Sequence, residues 1–205
     1  MTLEQLQGAL AHTDVYLIDQ ILKGRFQPSM KLLDAGSGEG RNLHWFIKNG
    51  YTIYGIDRHS EALHYARLAA KSLNPTFQTD YFQEMGLEKI LFPHQAFDAI
   101  ICSAVLHFAE SEAHFYTMWD ELWRVLAPQG ILFIRMASLT GMENEAKPLG
   151  DGRYALPDGS QRFLFRPDIR EKLESHYAIE WLEPLKTVVV DAQRSMNVMV
   201  IRKAN

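Results

Sequence analysis

The run LLDAGSGEGRN, residues 32–42, puts three glycines within five positions directly behind a short apolar segment. Gly36, Gly38 and Gly40 stand where a strand gives way to a helix, because Leu43, Phe46 and Ile47 follow at helical spacing. A glycine-dense turn at such a junction has two physical uses. It admits positive φ in a tight connection, and it lets a ligand lie against bare backbone at a helix N-terminus. The glycine pattern alone leaves both readings open.

Working outward, Lys31–Ala35 and Thr52–Asp57 read as short strands. Each is followed by a helical pattern, the second carried by Leu63, Ala66 and Ala70, so together they make a βαβ unit. The alternation continues with a strand at 76–79, a strand at 97–102, a helix over 112–126, and a strand at 131–136 after the turn Pro128-Gln129-Gly130. Strands rich in Ile, Val and Phe alternating with amphipathic helices imply a parallel sheet covered on both faces, with ligands at the carboxyl edge of its strands. The ending differs: 179–190 and 196–202 read as strands joined by 191–195, too short for a parallel crossover, so they are expected to pair antiparallel.

With 205 residues, 47% hydrophobic and 22% charged, the chain suits one soluble domain spanning 1–205. Its apolar runs at 97–106 and 131–134 are far too short to cross a bilayer, and no basic-then-apolar leader opens the sequence; no membrane partner and a cytoplasmic location are expected. The single cysteine, Cys102, cannot form an internal disulfide. Net charge is −4 with dispersed lysines and arginines, which disfavours nucleic acid as a substrate. His59 and His64 share a helical segment without a third ligand, so no metal site is expected.

Asp57 ends the second strand, where a carboxylate meets the two hydroxyls of a ribose lying over the first turn. The alternative is an Asp serving the start of the next helix, since Ser60 and Glu61 follow. A dinucleotide fingerprint requires G-x-G-x-x-G, yet Arg41 stands where the third glycine belongs, and Glu39 adds a carboxylate poorly matched to a pyrophosphate. The expected ligand therefore contains adenosine and lacks phosphate.

At these residues the sequence resembles the class I S-adenosylmethionine-dependent methyltransferases. LLDAGSGEG is similar to the family's first motif, YGIDRHSEAL to its acidic ribose motif, FQTD to its adenine motif, FDAIICSAVLHF to its fourth strand and substrate loop, and LWRVLAPQGILFI to the helix, turn and fifth strand beyond it. The GRN after the glycines is also similar to the small-molecule methyltransferases of the tellurite-resistance type. The resemblance implies a Rossmann-like, doubly wound α/β fold whose seven-stranded, mainly parallel sheet ends in an antiparallel hairpin. It also implies S-adenosylmethionine as cofactor and S-adenosylhomocysteine as product. By position, Asp34 with the backbone of Gly36, Ser37, Gly38 and Gly40 would hold the methionine part, and Asp57 the ribose. Arg58 would cover the adenine, Asp80 would receive its amino group beside Tyr81, and Ser103 would lie over the sulfonium.

Methyl transfer is an in-line displacement that needs alignment, worth roughly 7–11 kcal/mol where geometry is good, and needs a base only if the acceptor must lose a proton. His107, after the fourth strand, is the candidate base; the alternative is a structural histidine holding its loop. Cys102 reads as a buried small residue. The stretch 139–166 is longer than an ordinary connection and is expected to be a substrate-side insertion, with Tyr154, Arg162 and Phe163, beside Arg153 and Phe165, as an aromatic pocket with one cationic anchor. A surface hairpin turning at Pro157-Asp158-Gly159 is the competing reading. Residues 1–30 are expected to form a helical cap with Val15, Ile18 and Leu22 on one face and Lys23 or Arg25 reaching the methionine carboxylate.

The expected partner is a small-molecule acceptor, and the expected state a monomer or homodimer. A protein or RNA acceptor, a nicotinamide-dependent oxidoreductase and a noncatalytic S-adenosylmethionine-binding module are the alternatives.

Overall fold

A computed structural model describes residues 2–10 and 12–205. Two short helices, α1 (Leu3–Leu10) and α2 (Val15–Leu22), precede the sheet. The chain continues through β1 (Lys31–Ala35), α3 (His44–Lys48), β2 (Thr52–Asp57), α4 (Ser60–Leu73), β3 (Phe82–Glu84), β4 (Phe97–Ser103), α5 (Glu112–Val125) and β5 (Leu126–Ala137). Three short strands, β6 (Lys147–Gly150), β7 (Arg153–Ala155) and β8 (Gln161–Phe163), lead to α6 (Pro167–His176) and to β9 (Ile179–Trp181), β10 (Lys186–Val190) and β11 (Arg194–Lys203).

The main sheet runs β10-β11-β5-β4-β1-β2-β3, parallel from β5 through β3 and antiparallel where β11 meets β5 and β10. Successive strand residues go to opposite faces, as the pleat requires. Leu33, Ile100, Leu132 and Ile134 pack with Phe115, Trp119 and Leu122 of α5 and Ile169 of α6. Leu32, Ile101 and Phe133 pack with Leu17 of α2, Phe46 of α3 and Leu63 and Ala66 of α4 on the other face. Helix α5 is started by the Ser111 hydroxyl, which accepts the His114 N–H at 3.1 Å.

Four expectations are corrected. The strand expected at 76–79 is absent; residues 79–81 form a 3-10 turn and the strand begins at Phe82, which pairs with Gly55. Phe77 is apolar because its ring plugs against Tyr81 and Phe82. The strand expected over 179–190 is two, β9 and β10, divided around Pro184, which cannot donate to a ladder; both lie along β11. The Pro128-Gln129-Gly130 turn is a bulge inside β5, whose pairing with β4 jumps from Phe97↔Leu126 to Ala99↔Ile131, with Gln129 at φ 63. In the expected cap over 1–30, Met1 and Ala11 lie outside the described residues. Leu17 and Gln20 face inward there, whereas Val15 and Leu22 are exposed.

Candidate functional site

Because β4 and β1 are neighbours whose connections leave in opposite directions, their carboxyl ends open a crevice. A cavity of about 440 Å³ occupies it, lined by Gly36, Asp57, Arg58, His59, Gly86 and Val105 among others. Gly36, at φ 79, donates its N–H to the Ile56 carbonyl at 2.8 Å. A Cβ there would meet Val105 Cγ2 at 2.4 Å, so the first glycine is demanded by packing. Gly38, at φ 53, has nothing within 4 Å of a built Cβ and leaves its backbone bare.

Asp57 ties this loop to the end of β2. Its Oδ2 accepts the Gly38 N–H at 2.8 Å, and its Oδ1 accepts the His59 N–H at 2.9 Å. Beneath the loop, Asp34 is buried with both carboxylate oxygens unpartnered, as is the Ser37 hydroxyl. Burial, reinforced by Asp57 and opposed by Arg41, pushes the Asp34 carboxyl up to about 7. Arg58 reaches the cavity wall with its guanidinium held by Glu88 at 2.7 Å.

The expectation for Asp80 and Tyr81 rested on a strand at 76–79 that the structure places later. Asp80 and Tyr81 precede β3, and the Tyr81 ring stacks on Tyr54 at 4.2 Å. The residues after β3 at the carboxyl edge are Met85, which donates its N–H to the Asp57 carbonyl at 3.0 Å, then Gly86 and Leu87 in the cavity wall. Placing the strand too early displaced these residues in the sequence reading.

Ser103 does not stand alone. Its hydroxyl approaches Asp14 Oδ2 at 3.3 Å, and the same oxygen pairs with Arg135 Nη1 at 2.7 Å. The Asp14 side chain is fully buried; its Oδ1 also starts α2 by accepting the Tyr16 N–H at 2.9 Å. The Asp14 N–H donates to Asn42 Oδ1 at 3.0 Å, which docks the N-terminal cap on the glycine loop. Sequence reasoning missed Asp14 and Arg135, although an arginine inside the apolar run of β5 signals a buried partner. Lys23 and Arg25 lie elsewhere: Lys23 pairs with Asp19 and Glu183, and Arg25 donates to the Leu182 carbonyl.

A second cavity of about 250 Å³ shares Ala104 with the first and is lined by His107, Arg135, Leu156, Asp158, Ser160, Arg162 and Arg194, among others. Ala104 sits at φ 64 and donates its N–H to the Arg135 carbonyl at 2.7 Å. Of the expected pocket residues, Arg162 is here. Phe163 is not: it is fully buried and stacked on Phe115 at 4.9 Å. Phe165 is also core, and Tyr154 packs with the cluster of Ala137, Met142, Ala146, Leu156 and Leu164. The 157–159 turn closes β7 and β8 as a hairpin, and its Asp158 still reaches the cavity.

His107 is buried, and its Nδ1 accepts the Ala137 N–H at 3.2 Å. The neutral ring then carries its proton on Nε2 and presents a donor, which removes its role as a base. Burial first, then Arg162 and Arg135, pull its pKa down to about 4. Above the ordinary histidine value of about 6.5 the ring is neutral folded and unfolded. As pH falls below that value the unfolded chain takes up a proton that the native ring refuses, so stability is lost toward pH 4, by an amount on the order of 3 kcal/mol. Replacing His107 with Asn keeps an acceptor but no titration, and is expected to flatten denaturant-derived stability between pH 6.5 and 4. An unchanged slope would refute the assignment. Cys102 is fully buried with its thiol pushed up by burial, so it supplies no thiolate. No cluster of His, Cys, Asp or Glu able to hold a metal occurs among the described residues, and no helix among them is long and apolar enough to cross a membrane.

Residues 33–134 match a family model described as a methyltransferase domain. No curated protein matches the chain in sequence. Solved structures do. A Pyrococcus horikoshii protein superposes with TM-score 0.73 at 16% identity, covering 99% of this chain and 100% of its own. An S-adenosylmethionine-dependent methyltransferase from Methanosarcina mazei gives 0.69 at 20% identity, over 90% of this chain and 97% of its own. The 1,6-didemethyltoxoflavin-N1-methyltransferase of Burkholderia thailandensis, solved with 1,6-didemethyltoxoflavin and S-adenosylhomocysteine, gives 0.67 at 20% identity, over 97% and 80%.

Proposed function

Residues 33–134 belong to the methyltransferase-domain family, and from that premise we propose that the chain transfers a methyl group from S-adenosylmethionine to a small-molecule acceptor. The observation that carries this reading is the pair of cavities sharing Ala104 at the carboxyl edge, one against the glycine loop and one against β5 and the β7–β8 hairpin. The first fits the donor. Gly36 of the glycine loop lines it; beyond that wall Gly38 offers bare backbone, and the buried, unpartnered Asp34 carboxylate and Ser37 hydroxyl would meet the polar methionine end, whose ammonium would give Asp34 a counter-charge. Asp57 Oδ2 keeps a lone pair beyond that given to Gly38, and Oδ1, which meets both the N–H and the Nδ1 of His59, gains a second when the exposed His59 ring turns to solvent, so the carboxylate can then accept two ribose hydroxyls. Arg58, Gly86 and Leu87 line the adenine end, with Glu88 fixing the guanidinium.

When bound, the donor supplies an electrophilic methyl carbon; the acceptor's lone pair bonds to it as the carbon–sulfur bond breaks with its electrons left on sulfur. The protein itself adds alignment. Ala104, held by its hydrogen bond to the Arg135 carbonyl, fixes the partition across which the two ligands face each other. With His107 a donor, any acceptor proton leaves to solvent. In this reading residues 139–166 wall the acceptor side through Leu156, Asp158, Ser160 and Arg162.

Calorimetric titration with S-adenosylhomocysteine, with NADH as control, tests the reading: binding of the first alone is expected, and binding of NADH alone would overturn it. Asp57→Ala is expected to weaken S-adenosylhomocysteine by roughly 1.5–3 kcal/mol, the range for hydrogen bonds to a charged group. Wild-type affinity in that variant would mean that the carboxylate does not meet the ribose.

A further inference from the structure

We propose that the acceptor is a small molecule carrying an oxyanion group, carboxylate or phosphate, seated between Arg162 and Arg194 beside His107 in the 250 Å³ cavity. The inference rests on the methyltransferase reading for the word acceptor, and on the cavity's own chemistry for the rest.

Three guanidinium groups reach that cavity, and the carboxylates near them are already engaged. Asp14 is spent on Arg135, on Ser103 and on the start of α2. Asp158 accepts both the N–H of Ser160, at 2.9 Å, and its hydroxyl, at 2.6 Å. Arg162 and Arg194 make no salt bridge among the described residues; Asp158 lies within the field of both, and its single charge leaves one of the two guanidinium charges in excess. Arg162 is nonetheless oriented, because its Nη1 donates to the Gln161 carbonyl at 2.7 Å and its guanidinium lies 4.8 Å over the Phe108 ring. Phe108 in turn lines the donor cavity, so this stacked arginine stands at the boundary of the two sites. His107 adds one more donor, because its Nδ1 is occupied by Ala137 and its proton is on Nε2. A concavity with several fixed donors and few free acceptors is a receptor for an anion, and guanidinium geometry matches a planar carboxylate or a phosphate.

The test uses the full chain, with and without S-adenosylhomocysteine, and follows arginine Nε–H resonances by NMR during titration with benzoate, inorganic phosphate and the neutral isostere benzamide. Saturable shifts at Arg162 and Arg194 are expected with at least one anion and not with benzamide, and whichever anion binds more tightly identifies carboxylate or phosphate as the group recognised. Arg162→Gln and Arg194→Gln are each expected to weaken that anion about tenfold or more, the least expected for a charge-assisted hydrogen bond, and Arg194→Gln, whose site does not border the donor cavity, to leave S-adenosylhomocysteine affinity unchanged. Equal shifts from benzamide, or no response at either arginine, would overturn the proposal. Anion binding in a protein that ignores S-adenosylhomocysteine would instead sink the methyltransferase reading and leave the anion site standing.

Discussion

Arg135→Met is expected to destabilise the protein by about 3–5 kcal/mol in urea denaturation, the range for breaking a buried ion pair by removing one partner. The reason lies on the other side of the pair. Asp14 has a fully buried side chain, and Arg135 supplies the one positive charge paired with it among the described residues, at 2.7 Å; without it the Tyr16 N–H and the Ser103 hydroxyl remain, which do not neutralise a carboxylate. The loss of a guanidinium 5.3 Å over the Tyr16 ring adds to the effect. Asp14→Asn in the Arg135→Met background is expected to recover most of the loss, because it removes the stranded charge while keeping an oxygen for the helix start. A single variant within 1 kcal/mol of wild type, or a double variant no better than the single, would show that water reaches Asp14. Since Asp14 and Thr13 dock the N-terminal cap on Asn42 and the Arg41 carbonyl, the same variant is expected to loosen that cap.

The second large effect is at Gly36. Gly36→Ala is expected to cost about 2–5 kcal/mol of stability, combining left-handed backbone strain with overpacking. The added methyl would lie 2.4 and 3.0 Å from the two Val105 methyl carbons at φ 79. Gly38→Ala serves as the comparison: at φ 53 with open space around it, its cost is the backbone strain alone, about 1–2 kcal/mol. Adding Val105→Ala should relieve the clash in the first variant and do nothing for the second. Equal thermal unfolding of Gly36→Ala and Gly38→Ala would mean that packing does not set the first glycine.

The strands β1, β2, β4 and the helix α5 were legible because each declares itself locally, by an apolar run or by residues such as Phe115, Met118 and Leu122 at helical spacing. The antiparallel ending was legible from a link too short for a crossover. Strand β3 was misplaced because Phe77 is apolar for a reason that periodicity does not register, an aromatic plug against Tyr81 and Phe82. That single slip put Asp80 and Tyr81 at the carboxyl edge, where the structure has Met85 to Leu87. The glycine loop and Asp57 could be read at the level of residue type, since their spacing around a βαβ turn is itself the signal. The Asp14–Arg135 pair could not, because its members are far apart in the chain and only the assembled sheet makes them neighbours. Phe163 and Arg162 show the same limit at closest range: adjacent in a strand, they face opposite sides, and only the packing decides which one is core.

The small sheet β6–β7–β8 rests on its own apolar cluster, Met142, Ala146, Leu156 and Leu164 against Ala137, and is pinned to the α5 layer of the main sheet through Phe163, which stacks on Phe115. Away from Phe163, substitutions in this jaw, such as at Leu156 or Arg162, can reshape the wall of the 250 Å³ cavity while leaving in place the two layers that hold the glycine loop.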